Sequence, residues 1–256
     1  MIDEDDNFRP FTMNWVNTSI LCLSLLLSGI SSSILNSFFP MESLSKGISI
    51  AQCGLIIGIK FFANVLSSFM VGSIMGVFLS ARVVLICGLI LVFANNTLFS
   101  FLYFIDDPTI YMTTSIILRV FLALGETAVI ISGYSLAGKQ GGEKHQGKGD
   151  FLFCLKNTLF PLGFVTALAD SCYGIGLMLG PAVGGELHEL GGFMLPFLIE
   201  GGGALVQAIV VGCGMSKNEY LNIDNNTQEA EKEKKVTWRN VMTAPPIFLR
   251  NGSGQS

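Results

Sequence analysis

Charge is what this sequence has least of. Only 13% of its 256 residues are Asp, Glu, Lys or Arg, about half the share found in soluble globular domains. Half of the residues are hydrophobic and mean hydropathy is +0.58, which together speak against a water-soluble fold. Paired cysteines are missing too: Cys22, Cys53, Cys87, Cys154, Cys172 and Cys213 stand singly with no CxxC, so neither a disulfide framework nor a zinc site is indicated. His145 and His188, read as loop residues, have no second ligand-type residue near them in sequence, and no metal or other cofactor is expected. No basic patch suggests nucleic acid. No Ser/His/Asp array, P-loop or nucleotide fingerprint appears, so catalysis is not expected. The chain opens MIDEDD rather than with a positive n-region, and its first apolar block therefore reads as a retained span, not a cleaved signal.

What the sequence has instead is apolar blocks of about 20 residues, the length that crosses a bilayer core. The reading is an all-α membrane protein with six spans: Trp15 to Phe39, Ile50 to Phe69, Val83 to Ile105, Ile110 to Ala137, Phe164 to Gly185 and Phe193 to Met215. Compact polar joints, MESLSKG (Met41 to Gly47) and DDP (Asp106 to Pro108), make sequential spans antiparallel neighbours. Arg9, Arg82, Lys139, Lys144, Lys148 and the tail lysines fall on alternate connections, against Lys46 on the opposite side. The positive-inside bias then places both termini in the cytoplasm. The net charge of -4 comes from the ends, Asp3 to Asp6 and Glu229 to Glu233, and says little about partners. Residues 1–14 read as an acidic tail, 15–215 as the bundle, 216–242 as a charged linker and 243–256 as the start of a seventh apolar run.

The most specific local signal is GIGLMLGPAVGG (Gly174 to Gly185) in the fifth span. Gly176, Gly180 and Gly184 recur every four residues on one helix face, where a neighbouring helix can approach closely. Pro181 removes one backbone hydrogen bond, which a membrane helix tolerates when neighbours compensate. Gly185 completes the motif. The run resembles the fifth-helix antiporter motif (GxxxGPxxGG) of the major facilitator superfamily, particularly its vesicular amine and polyamine branch, solute carrier family 18. NSFFPMESLSKGIS (Asn36 to Ser49), RVFLALG (Arg119 to Gly125) and ELHELGGFMLPFLIEG (Glu186 to Gly201) are similar, in order, to that family's first luminal joint, its fourth-helix arginine motif and the start of its sixth helix. Of the family's GxLxDRxGRR loop, this chain keeps only Gly72, Gly76 and Arg82.

The resemblance implies the N-terminal half of a carrier that exchanges protons for small organic cations, polyamines or monoamines, with a second six-helix half as partner. It also implies a short fourth-to-fifth connection, so 141–159 reads as an insertion. Ionisable residues inside spans need a partner or a watery cavity; here they are Lys60, Arg119, Glu126, Asp170 and Glu200. Arg119 and Glu126 share a face seven residues apart, either as a charged element lining a central cavity and coupling to protons or as a structural pair. Asp170 is a candidate proton or cation acceptor, or an interfacial residue reaching water. Lys60, mid-span, would oppose a cationic substrate unless a carboxylate neutralises it, and Glu200 reads as structural.

Overall fold

The computed structural model describes residues 15–77, 79–141 and 160–214. The acidic tail, the linker, the seventh apolar run and all but the first residue of the 141–159 stretch lie outside them. Among the described residues the chain is helical, with helices α1 (Trp15–Ser33), α2 (Phe39–Ser45), α3 (Ile50–Val77), α4 (Ala81–Ser100), α5 (Pro108–Gly141), α6 (Phe160–Gly191) and α7 (Met194–Gly214). Short 3-10 turns follow α1 (Ile34–Asn36) and α4 (Phe101–Phe104). Six of the helices are long and apolar enough to cross a membrane.

Helix ends follow local chemistry. The DDP joint makes a compact start for α5: Asp107 accepts from the backbone N–H of Thr109 at 2.8 Å and Ile110 at 3.1 Å, satisfying two orphan donors, and Pro108 takes the first helical position. The MESLSKG joint differs from a simple turn, because α2 occupies most of it. Pro40 sits at its first turn and Glu42 lies near its N-terminus, both favourable there, and Gly47 ends the segment at φ +80°. His188 lies inside α6 rather than in a loop, stacked on Phe38 at 4.8 Å. Helix α6 runs unbroken through Pro181.

Helix α1 lies along α6 and also touches α5 and α7; α4 packs on α5 and α7, and α3 on α5. One end of the bundle is closed by rings from four segments: Phe38, Phe39, Phe99, Tyr111, Phe193 and Phe197, with centroid spacings such as 4.9 Å for Phe99–Phe197. Lys46 ties two joints together there, donating to the carbonyls of Tyr103 at 2.8 Å and Ile105 at 2.7 Å. Helices α3 and α6 are least covered, 28% and 22% buried against 61% for the first span. Their outward side chains, among them Phe61, Phe62, Phe69 and Met178, suit lipid or another helix rather than water.

Candidate functional site

Among the described residues, four side chains of the Asp, Glu, Lys and Arg types are sealed inside the bundle: Lys60 of α3, Arg119 and Glu126 of α5, and Glu200 of α7. Lys60 is 1% exposed and Glu126 fully buried. The Lys60 ammonium donates to the Ser32 carbonyl at 3.0 Å, the Ser32 hydroxyl at 2.7 Å and Glu126 Oε1 at 2.9 Å. An ammonium has three protons, so all are committed. Glu126 Oε2 lies 2.8 Å from the same nitrogen yet has no hydrogen-bond partner of its own. One turn on, Thr127 donates to Asn64 Oδ1 at 3.2 Å, fixing the register of α5 against α3. The charge that would oppose a cationic ligand is thus neutralised by a carboxylate 66 positions away in sequence.

Arg119 does not take that carboxylate. Its guanidinium carbon lies 5.5 Å from the Phe99 ring centroid, and its Nε is buried without a partner. Helical side chains lean toward the helix N-terminus. Arg119 precedes Glu126, so it leans away from it, toward the aromatic end. The direct ion pair is Lys60–Glu126, while Arg119 feels the Glu126 charge without a direct ion pair to it.

Asp170 stands apart from this centre. It is exposed on α6 and accepts a hydrogen bond from the Tyr134 hydroxyl at 2.7 Å. Glu200 is 5% exposed and faces Ser31 of α1, and its Oε2 has no hydrogen-bond partner. Ser31 also accepts from Asn96 Nδ2 at 3.4 Å, and Gln207 donates to Ser24 at 2.8 Å and to the Ile20 carbonyl at 2.9 Å. Helix α1 therefore carries a polar seam that its overall apolarity hides. Ser24, Ser28, Ser31 and Ser32, spaced four, three and one, form a strip of one side of the helix, and that spacing was the available signal.

The glycine motif holds this seam in place. Residues 176 and 180 sit against α1 and 184 against the 3-10 turn that follows it; an added Cβ on Gly176 would collide with the Leu26 carbonyl oxygen and one on Gly180 with Ser33 Oγ. Gly29 answers from α1, since a Cβ there would strike the Tyr173 carbonyl oxygen. Matching steps of four along both helices show that they run parallel, as first and fifth spans must. Gly185 meets nothing within 4 Å, so it takes no part in this contact.

A multi-pass bundle of apolar helices enclosing a hydrogen-bonded ion pair is the build of an integral membrane protein that handles polar solutes. The Major Facilitator Superfamily profile matches residues 21–253, and the chain belongs to that superfamily of transporters. It is similar to the MFS-type transporter SLC18B1 of Mus musculus, 26% identical over 219 residues that cover 85% of this chain and 41% of the relative. It is likewise similar to that of Homo sapiens, 28% identical over 171 residues covering 66% of this chain and 33% of the relative. The chain thus spans well under half the length of the curated relatives it matches.

Proposed function

We propose that the bundle works in a proton-coupled exchanger of small organic cations, polyamines or monoamines, by alternating access. A second six-helix bundle, from further polypeptide or a second copy, rocks against this one around a site near mid-membrane. The observation that carries the reading is the buried Lys60–Glu126 pair, in which a positive charge hostile to amines is cancelled by a carboxylate. Asp170, exposed and held by Tyr134, serves as a first acceptor for the cation at the cytoplasmic mouth. Both termini lie in the cytoplasm, in a vesicle or plasma membrane.

Vesicles containing the chain, loaded with acid and offered labelled spermidine or serotonin, test this. Uptake above vesicles lacking the chain, abolished when the proton gradient is collapsed, is expected. Uptake no greater than in empty vesicles overturns it and favours the alternative, a membrane protein that acts by association with others.

A further inference from the structure

Four charges are buried and only one pair forms. Among the described residues no ion pair reaches Arg119 or Glu200. Arg119 is compensated by the face of Phe99, a favourable place for a guanidinium. Glu200 has no ring face or ion pair, only the Ser31 hydroxyl and the more distant charge of Lys60. It lies on the packed face of α7, between Pro196, Phe197, Gly201 and Ala204, where every neighbour along the helix is apolar. Helix α4 closes over it, because a Cβ on Gly201 would stand 3.3 Å from Asn96 Cβ and 3.4 Å from the Phe93 carbonyl oxygen. A carboxylate without an ion pair at such depth is costly, and an apolar residue there would avoid the cost.

We propose that Glu200 is a proton-carrying site, set on the same polar side of α1 as the Lys60–Glu126 pair and reached through the adjacent hydroxyls of Ser31 and Ser32. This rests on the exchanger reading and names a residue that carries its proton. The two carboxyls divide the work. Glu126 is held by an ammonium whose three protons are spent. Glu200 has Oε2 without a hydrogen-bond partner and the Ser31 hydroxyl beside it. The charged groups around Glu200 are Lys60 from α3 and Glu126 from α5. Helices α1 and α4 bring Ser31 and Asn96, and α6 brings His188 to the ring cluster of Phe38, Phe193 and Phe197, one turn away on α7. Proton uptake forms one O–H bond on Glu200 and removes one buried negative charge. Release returns that charge when the helices around α1 shift.

Glu200→Gln keeps the shape of the protonated side chain and cannot exchange its proton. In acid-loaded vesicles the variant is expected to lose gradient-driven accumulation of labelled spermidine while exchanging labelled for unlabelled spermidine, without a gradient, at the wild-type rate. Accumulation equal to wild type, or loss of both activities alike, overturns the proposal. A second readout needs no transport: infrared difference spectra of the purified chain between acid and alkaline pH should contain a carboxylic C=O band that Glu200→Gln removes and Ser31→Ala moves to a different pH. A band unchanged in both variants overturns Glu200 as the site. Absence of accumulation by the wild-type chain, with the band present, overturns only the exchanger reading.

Discussion

Helix α1 has two sides built on opposite principles. Toward α6 it meets backbone with backbone: Gly29 and the glycines at 176, 180 and 184 leave no room for a side chain, and Ser33 spends its hydroxyl on its own helix at Gly29 O, 3.1 Å away. Toward α3, α4 and α7 it offers serines to an ammonium, an amide and a carboxyl, and one oxygen of Glu200 remains without a hydrogen-bond partner. The first side has no volume to spare at its glycines. The second has spare hydrogen-bonding capacity, which a purely structural seam would have eliminated. A carrier needs both, a rigid rail and a responsive one, and a single helix supplies them here.

The largest expected break in that comparison comes from Lys60→Ala. It leaves Glu126 buried and uncompensated, and removing one partner of a buried pair costs about 3–5 kcal/mol. Thermal unfolding of the detergent-purified chain should register it. Combining Lys60→Met with Glu126→Leu removes both charges at similar volume, an exchange that is often neutral or stabilising. The double variant should recover most of the unfolding temperature and no cation uptake. A double variant as unstable as the single one would show that the pair is not a unit.

On the rigid side the same substitution at two glycines of one motif should diverge. Gly176→Ala pushes a methyl into the Leu26 carbonyl and, as overpacking, should destabilise by about 1–3 kcal/mol. Gly185→Ala meets nothing and should be neutral or stabilising by up to about 1 kcal/mol, the helix-propensity gain. Equal effects on the unfolding temperature would mean that the motif acts through backbone flexibility instead of close approach.

Much of the rigid side was readable before any coordinates, and little of the polar side was. Steps of four between glycines fix a helix face, whatever lies opposite, so the close contact at 176, 180 and 184 followed from local periodicity; only its partner, Gly29, did not. The DDP joint was similarly local. Lys60 and Glu126 are joined by tertiary packing alone, and face-sharing on one helix suggested Arg119 because it ignored the lean of side chains toward the N-terminus. Glu200 reads as structural from its sequence neighbours alone, because its position between α1 and α4 depends on packing between distant segments. The serines of α1 were absorbed into an apolar average.

The smallest effect concerns the two ends of the bundle, where single cations sit on helix carbonyls. Arg82, a remnant of the family's loop motif, donates to Gly212 O at 2.5 Å and Val211 O at 3.4 Å, in the last turn of α7. A cation there satisfies orphan acceptors and opposes the helix dipole. Arg82→Ala should therefore lower stability by only about 0.3–1 kcal/mol, less at high salt because the group is partly exposed. Arg82→Lys should retain part of that, since it keeps the charge without the planar fork. The contact seen here ties α4 to α7, the helix that carries Glu200. If Arg82→Ala left the unfolding temperature unchanged but altered the rate of cation exchange, the contact would be a joint that opens during the cycle and not a helix cap.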